Sequence, residues 1–223
     1  MKFKSARISA IEEYVRNHIV EDIVHGFGHV DRVRDWALKI ARSEKYPNLE
    51  TVEAAALLHD VARNSVSWRN HGEEGAKFAQ AFLEKSQSWT GEEILDICNA
   101  IRYHNKNREG RGRLLDIIRD ADMLDSLGAI GLARNFIFTA HKKTLFDPIN
   151  IKGETWGLSN RDFDLRFDRG EGVGQYIVDE LNFQISYLKN FKTKFGKKAS
   201  KPLAAYMKNY ILQLEREVKQ NKR

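Results

Sequence analysis

The amino-acid sequence predicts an all-α protein. Apolar residues return at intervals of three and four in nearly every segment, no run alternates apolar and polar residues as a half-buried strand does, and only three prolines interrupt 223 residues. With 42% hydrophobic residues the chain can bury one substantial core. A single domain over 1–223 is expected.

Helices are expected at 6–20, 28–44, 49–60, 71–86, 91–105, 113–126, 128–141, 173–192 and 199–219. The first and seventh rest on the three-and-four spacing alone. In the second, Val33, Trp36 and Ile40 follow His29 at helical spacing. The third is apolar nearly all round from Val52 to Leu58, as a central buried helix must be. Asn70 followed by Glu73 resembles an Asx-capped start to the fourth and puts His71 in its first turn, where the helix dipole disfavours imidazolium; Thr90 with Glu93 resembles a capping box for the fifth. Leu115 and Ile118 mark the inner face of the sixth. Ile177, Leu181, Ile185 and Leu188 mark one amphipathic C-terminal helix, and Leu203, Met207, Tyr210, Leu214 and Val218 mark another at coiled-coil-like spacing. These two either pack on the main bundle or form a homodimer.

Two segments lack a clear period. Residues 142–171, rich in Gly, Asn, Asp and Lys, read as a lid or as a surface loop. The stretch KNFKTKFGKKASK, 189–201, reads as an exposed basic inter-helix loop, with nucleic-acid binding as its functional alternative. A net charge of +6 suits an anionic ligand, or simply a solvated lysine-rich surface. Cys98 is the only cysteine and can form no internal disulfide, and no stretch resembles a signal peptide or membrane span. A cytoplasmic location without membrane contact is expected.

The residues that carry chemistry are polar groups on apolar faces. His29 should face inward near one end of the core, as a hydrogen-bonded core residue or as a ligand. His59 and Asp60 close the apolar run AAALLHD, and an ionised aspartate there needs a cation, hydrogen bonds or a salt bridge to Arg63. His104 follows Ile101 and Cys98 on an apolar face. Asp122 and Asp125 share a face with Leu115 and Ile118, while Asp116 and Asp120 should point elsewhere. Together His29, His59, Asp60, His104 and Asp122 lie at the core-facing edges or ends of separate helical segments.

In this order, with HVDRVRDWALKIA around His29, AAALLHD before Asp60 and DADMLDSLGAIGLAR around Asp122, the chain resembles the HD-domain superfamily of metal-dependent phosphohydrolases, in particular small bacterial members of about this length. The motifs cover about 20–140, and the last two helices are similar to that subgroup's C-terminal extension. The resemblance implies an HD-domain helical bundle with two extra C-terminal helices. It implies that His29, His59, Asp60 and Asp122 hold one divalent cation, and it matches His71 and His104 to two further histidines of subgroups that hold two. The interval from Asp60 to His71 is shorter than in those subgroups, which leaves open a contact from His71 to substrate phosphate. Where the subgroup often has His-Asp before the first ligand, this chain has His25-Gly26.

A mixed imidazole and carboxylate set suits one or two ions of Mn, Mg, Fe, Co or Ni. The expected function is hydrolysis of a small phosphate ester, such as a nucleotide, by metal-activated hydroxide. By analogy Asp60 bridges the ions if two are present and orients the attacking oxygen. Arg63, Lys142 or Lys143 would stabilise charge on phosphorus, with His25, Lys142 and Lys143 as substrate contacts. Asp125 is a candidate general acid, a support for the ligands or a salt-bridge partner, and His141 a candidate substrate contact or helix-end group. The rival functions are a metal-containing regulatory module without catalysis and a di-iron oxygenase on the same six residues.

Overall fold

The computed structural model describes residues 5–22, 24–66, 70–106, 109–141 and 176–220, with seven further residues between 162 and 174. Helices α1 (Ala6–His18), α2 (Phe27–Ser43), α3 (Leu49–Leu58), α4 (His71–Ser86), α5 (Gly91–Tyr103), α6 (Arg113–Asp125) and α7 (Gly128–His141) are followed by α8 (Ile177–Ser186), a short 3-10 turn (Tyr187–Lys189) and α9 (Lys194–Gln220). No strand occurs among the described residues. The all-α expectation holds, and the first seven helices agree with the sequence to within two residues at each end.

Local chemistry explains the boundaries. The Ser5 and Asn48 side chains accept from the backbone N–H groups of Ile8 and Thr51 at the starts of α1 and α3. Thr90 and Glu93 form the reciprocal capping box at the start of α5. At α4 the Asx cap is not formed, because Asn70 has αR backbone rather than the extended conformation that aims a capping side chain, but His71 does open the helix.

The chain divides into two compact units, 1–125 with 191–197, and 126–190 with 198–223. In the first, α3 packs against α1, α2, α5 and α6, and α4 lies along α5. Residues 54–58 of α3 are wholly buried, so Leu57 and Leu58 each contribute roughly 1.5–3 kcal/mol of hydrophobic stabilisation. His59 and Asp60 therefore emerge at the end of the most deeply buried helix.

Residues 191–197 complete this unit. The buried Asp120 carboxylate accepts from Lys192 N at 2.9 Å, Thr193 N at 2.8 Å and Thr193 Oγ1 at 2.6 Å. Burial pushes this carboxyl up despite those bonds. Asp120 does point away from Asp122, as expected, but into the protein. Thr193 also caps α9, its Oγ1 accepting from Gly196 N at 2.9 Å, and Glu44 accepts from Phe195 N at 2.9 Å. These acceptors start α9 five residues before the expected 199, and Pro202 lies inside the helix. The basic segment 189–201 is consequently mostly helix, with only 190–193 between the 3-10 turn and α9.

In the second unit α7 packs on α8, and Phe136 meets Tyr210 edge to face at 5.8 Å. Helix α8 is shorter than the expected 173–192, because Asp179 accepts from Tyr176 N and fixes its start. Along α9, Ala204, Met207 and Ile211 are the buried positions. Most of the lid candidate 142–171 lies outside the described residues. Among the described residues no helix is long and apolar enough to cross a membrane.

Candidate metal centre

Five helix ends of the first unit converge. His29 lies in the first turn of α2, His59 and Asp60 follow the last residue of α3, His71 opens α4, His104 follows α5, and Asp122 sits in the last turn of α6. All four histidines and Asp60 are buried. The approach of α4 to α5 depends on Gly72, where a Cβ would stand 2.8 Å from Arg102 O and 3.1 Å from Ile101 O. Any side chain there would separate His71 from His104.

Two ligand groups share this space: His29 with His59 and Asp122, and Asp60 with His71 and His104. In the first half, His29 Nε2 stands 3.4 Å from His59 Nε2, 3.5 Å from Asp122 Oδ1 and 3.8 Å from Asp60 Oδ2. His59 Nε2 is 3.7 Å from the same Asp60 oxygen. These separations exceed a good N–H···O hydrogen bond, which spans roughly 2.7–3.2 Å. They lie within the span of ligands around one ion, which stand roughly 3.0–4.2 Å apart from neighbouring to opposite positions when each is about 2.1 Å from it. In the second half Asp60 Oδ1 lies 3.2 Å from His71 Nε2 and 3.6 Å from His104 Nε2, and the two rings approach to 3.0 Å. Asp60 thus turns one oxygen to each half.

What lies behind each ring sets which nitrogen is offered. His59 Nδ1 donates to Ala56 O at 2.7 Å and His104 Nδ1 donates to Ile101 O at 2.6 Å. His29 Nδ1 donates to Asp125 Oδ2 at 2.8 Å, and Arg32 grips the same carboxylate at 2.7 and 3.0 Å. With Nδ1 protonated, Nε2 of each neutral ring presents a lone pair inward. His29 Nε2, His59 Nε2, Asp60 Oδ2 and Asp122 Oδ1 are then four acceptors facing one another. Such a set fits a divalent cation.

Burial works against an ionised Asp60, which needs positive charge or donors facing it. Attraction to His59 and hydrogen bonds from His104 and His71 outweigh that burial and hold the carboxyl well below the usual carboxylate range, a role that a bound cation would take over from neutral rings. Asp122 is likewise shifted down, the burial penalty being offset by His29 and His59. The Asp122 side chain is 31% exposed, so the first half opens toward solvent. An open side is what a catalytic metal site keeps and a structural one closes.

The remaining sequence candidates fall as follows. Arg63 is half-buried beside the second half, with Nη1 at 3.2 Å from His71 Nδ1 and Nη2 at 3.3 Å from His25 Nε2. No carboxylate pairs with it among the described residues. His25 stands next to His29, ring centroids 6.1 Å apart. Asp125 is buried and engaged by His29 and Arg32, so its geometry gives it the task of orienting His29 rather than delivering a proton to substrate. Lys142 and Lys143 lie outside the described residues, as does the side chain of His141. The sequence reading missed Arg32, one turn after His29 on the same face, and Asn105, whose amide Nδ2 is 3.4 Å from His71 Nδ1. It missed Arg119 as well, a buried guanidinium that donates to Tyr103 O at 2.7 Å and to the carbonyls of Lys106 and Glu109, fixing the turn that carries His104.

The chain is 28% identical to the Bacillus subtilis protein YpgQ over 121 residues, which cover 53% of this chain and 58% of YpgQ, less than two thirds of that protein. The crystal structure of YpgQ in complex with ADP matches with a TM-score of 0.63 at 20% identity, covering 95% of this chain and 94% of that one. A Lactobacillus plantarum protein of similar fold gives a TM-score of 0.74 at 20% identity over 96% and 97% of the two chains. A protein from an uncultured Thermotogales bacterium, named a predicted HD superfamily hydrolase, gives 0.50 at 26% identity over 82% and 92%. The family model of the HD domain matches residues 26–127, the segment that contains all six converging side chains.

Proposed function

We propose that this chain is a divalent-metal-dependent phosphohydrolase whose substrate is a small phosphate ester of the nucleotide class. The observation that carries the reading is the convergence of four acceptors, His29 Nε2, His59 Nε2, Asp60 Oδ2 and Asp122 Oδ1, at spacings suited to one ion. Asp60 would extend to a second ion with His71 and His104. Mixed nitrogen and oxygen donors without thiolate favour Mn, Fe, Co, Ni or Mg over a structural zinc.

A divalent cation held there lowers the pKa of water and polarises a phosphoryl oxygen. The chain's own groups do the rest. Asp60, buried and kept ionised by its neighbours, is placed to orient an attacking oxygen between the two halves. Asp125 and Arg32 hold the His29 ring in register. Arg63, a cation at the edge of the site that no carboxylate meets among the described residues, is the chain's group for developing phosphoryl charge. The nucleotide class is supported by the ADP complex of the similar YpgQ and by the net charge of +6.

The test is metal analysis of the purified protein followed by assays of nucleoside mono-, di- and triphosphates and simple phosphodiesters with each cation. Metal-stimulated release of phosphate, pyrophosphate or nucleoside is expected. Absence of bound metal together with absence of metal-stimulated turnover overturns the proposal. Bound iron with oxygen consumption and no phosphate release would point instead to the oxygenase use of the same six residues.

A further inference from the structure

We propose that Arg63 couples the second half of the centre to phosphate: it holds His71 in the tautomer that cannot ligate, and a phosphate that draws the guanidinium away frees the ring for a second ion. This rests on the phosphohydrolase reading above and deepens it. Of the four histidines, His71 is the exception in what meets its Nδ1. His29, His59 and His104 turn Nδ1 to oxygen acceptors, Asp125 Oδ2, Ala56 O and Ile101 O. His71 turns Nδ1 to Arg63 Nη1 at 3.2 Å.

A guanidinium has five donors and no acceptor, so in that contact Arg63 donates and His71 Nδ1 accepts. A neutral imidazole that accepts at Nδ1 carries its proton on Nε2. That Nε2–H points between His104 Nε2 at 3.0 Å and Asp60 Oδ1 at 3.2 Å, hydrogen-bond distances to the other two members of the ligand group. A protonated Nε2 has no lone pair to give an ion. The same nitrogen that geometry places as a ligand is disabled by the residue behind it.

Release has a route. Among the described residues Arg63 meets ring nitrogens, His71 Nδ1 and His25 Nε2, and no carboxylate, and a phosphate offers two charged oxygens to the same fork, a stronger contact. When Arg63 turns to it, the proton on Nε2 leaves to solvent and Nδ1 takes one up, with no net change in the ring's charge. Asn105 can stabilise this form: its amide lies 3.4 Å from His71 Nδ1, and unlike arginine a carboxamide can turn to present its oxygen. Arg63 is therefore a positioning residue for His71 as well as a phosphate contact.

The experiment counts manganese ions per chain by equilibrium dialysis, with and without inorganic phosphate, for the full-length protein and for Arg63→Met, which keeps bulk but cannot donate. The wild type should bind one ion without phosphate and two with it. Arg63→Met should bind two in both conditions, and His71→Ala added to it should return the count to one. Nitrogen-15 spectra of histidine-labelled protein without metal should show His71 as the Nε2–H tautomer in wild type and shifted toward Nδ1–H in Arg63→Met. Circular dichroism checks that each variant is folded. A wild type that holds two ions without phosphate, or an Arg63→Met protein that holds one in both conditions, overturns the coupling while leaving the metal reading intact. No bound ion in any of the proteins overturns both.

Discussion

The two halves of the centre use the same ligand types but differ in how the rings are supported. Behind His29 and His59 stand a carboxylate and a carbonyl, which fix Nδ1–H and aim lone pairs at the ion position. Behind His71 stands Arg63, which does the opposite. Identical residues spaced equally well can thus be ready to bind in one half and conditional in the other. Ligand identity and distance alone do not decide occupancy; the hydrogen bond on the far nitrogen does.

The largest expected effect comes from the residue common to both halves. Asp60→Ala should eliminate ion binding in each and reduce turnover by about 10³-fold or more, with helical content unchanged by circular dichroism; retention of one tightly held ion would show that the halves are independent. Removing support from one half sharpens the contrast. Asp125→Ala should weaken ion binding at the first half by roughly 10–100-fold, measured by calorimetry with the Arg63→Met protein as reference for the second. Equal weakening in both halves would mean that Asp125 acts through the whole fold rather than through His29.

The scaffold of the second half gives a pH test. Cys98 on α5 lies against Ala76 O of α4, and burial pushes its thiol up to about 11. In the unfolded chain it ionises near 8.5. A folded-state value above the unfolded one means that the thiol's contribution is complete below about pH 8.5 and is lost as pH rises toward 11. Denaturant midpoints should therefore fall across that alkaline window in wild type and fall less in Cys98→Ala, and alkylation at pH 8 should be negligible until the protein unfolds. The smallest effect is expected from Thr90→Ala, which removes the cap at the far end of α5. It should cost about 1 kcal/mol, or roughly 2–4 °C in melting temperature, while ion binding stays unchanged in both halves; a change in ion count would mean that strain travels the length of α5 to His104.

Much of this was legible in the sequence because it follows from short-range rules. The burial of α3 shows in the unbroken apolar stretch from Val52, and the capping box of α5 in the spacing of Thr90 and Glu93. Five of the six converging residues were visible because each is polar at the core-facing edge or end of an apolar helical segment; His71 rested on its place in the first turn of α4 and on the family resemblance. What was not legible depends on partners distant in the chain. Asp120 is bound 73 residues away by Thr193, and the early start of α9 follows from that contact rather than from the lysines around it. Asp125 looked like a candidate acid because nothing in its neighbourhood reveals that Arg32, 93 residues earlier, engages it. The tautomer of His71 is set by a side chain whose direction no periodicity encodes.

The bond between Asp120 and Thr193 also bears on how the chain is threaded. Residues 126–190 leave the first unit after α6 and return to it at 191–197, so they form an excursion with both ends tied rather than an appendix. Closing a loop of 73 residues costs about 4 kcal/mol of chain entropy, and one buried carboxylate with three donors marks the closure. Shortening the protein at residue 190 would therefore expose an anchor point, not trim a tail: the first unit is complete only once residues 191–197 have been made.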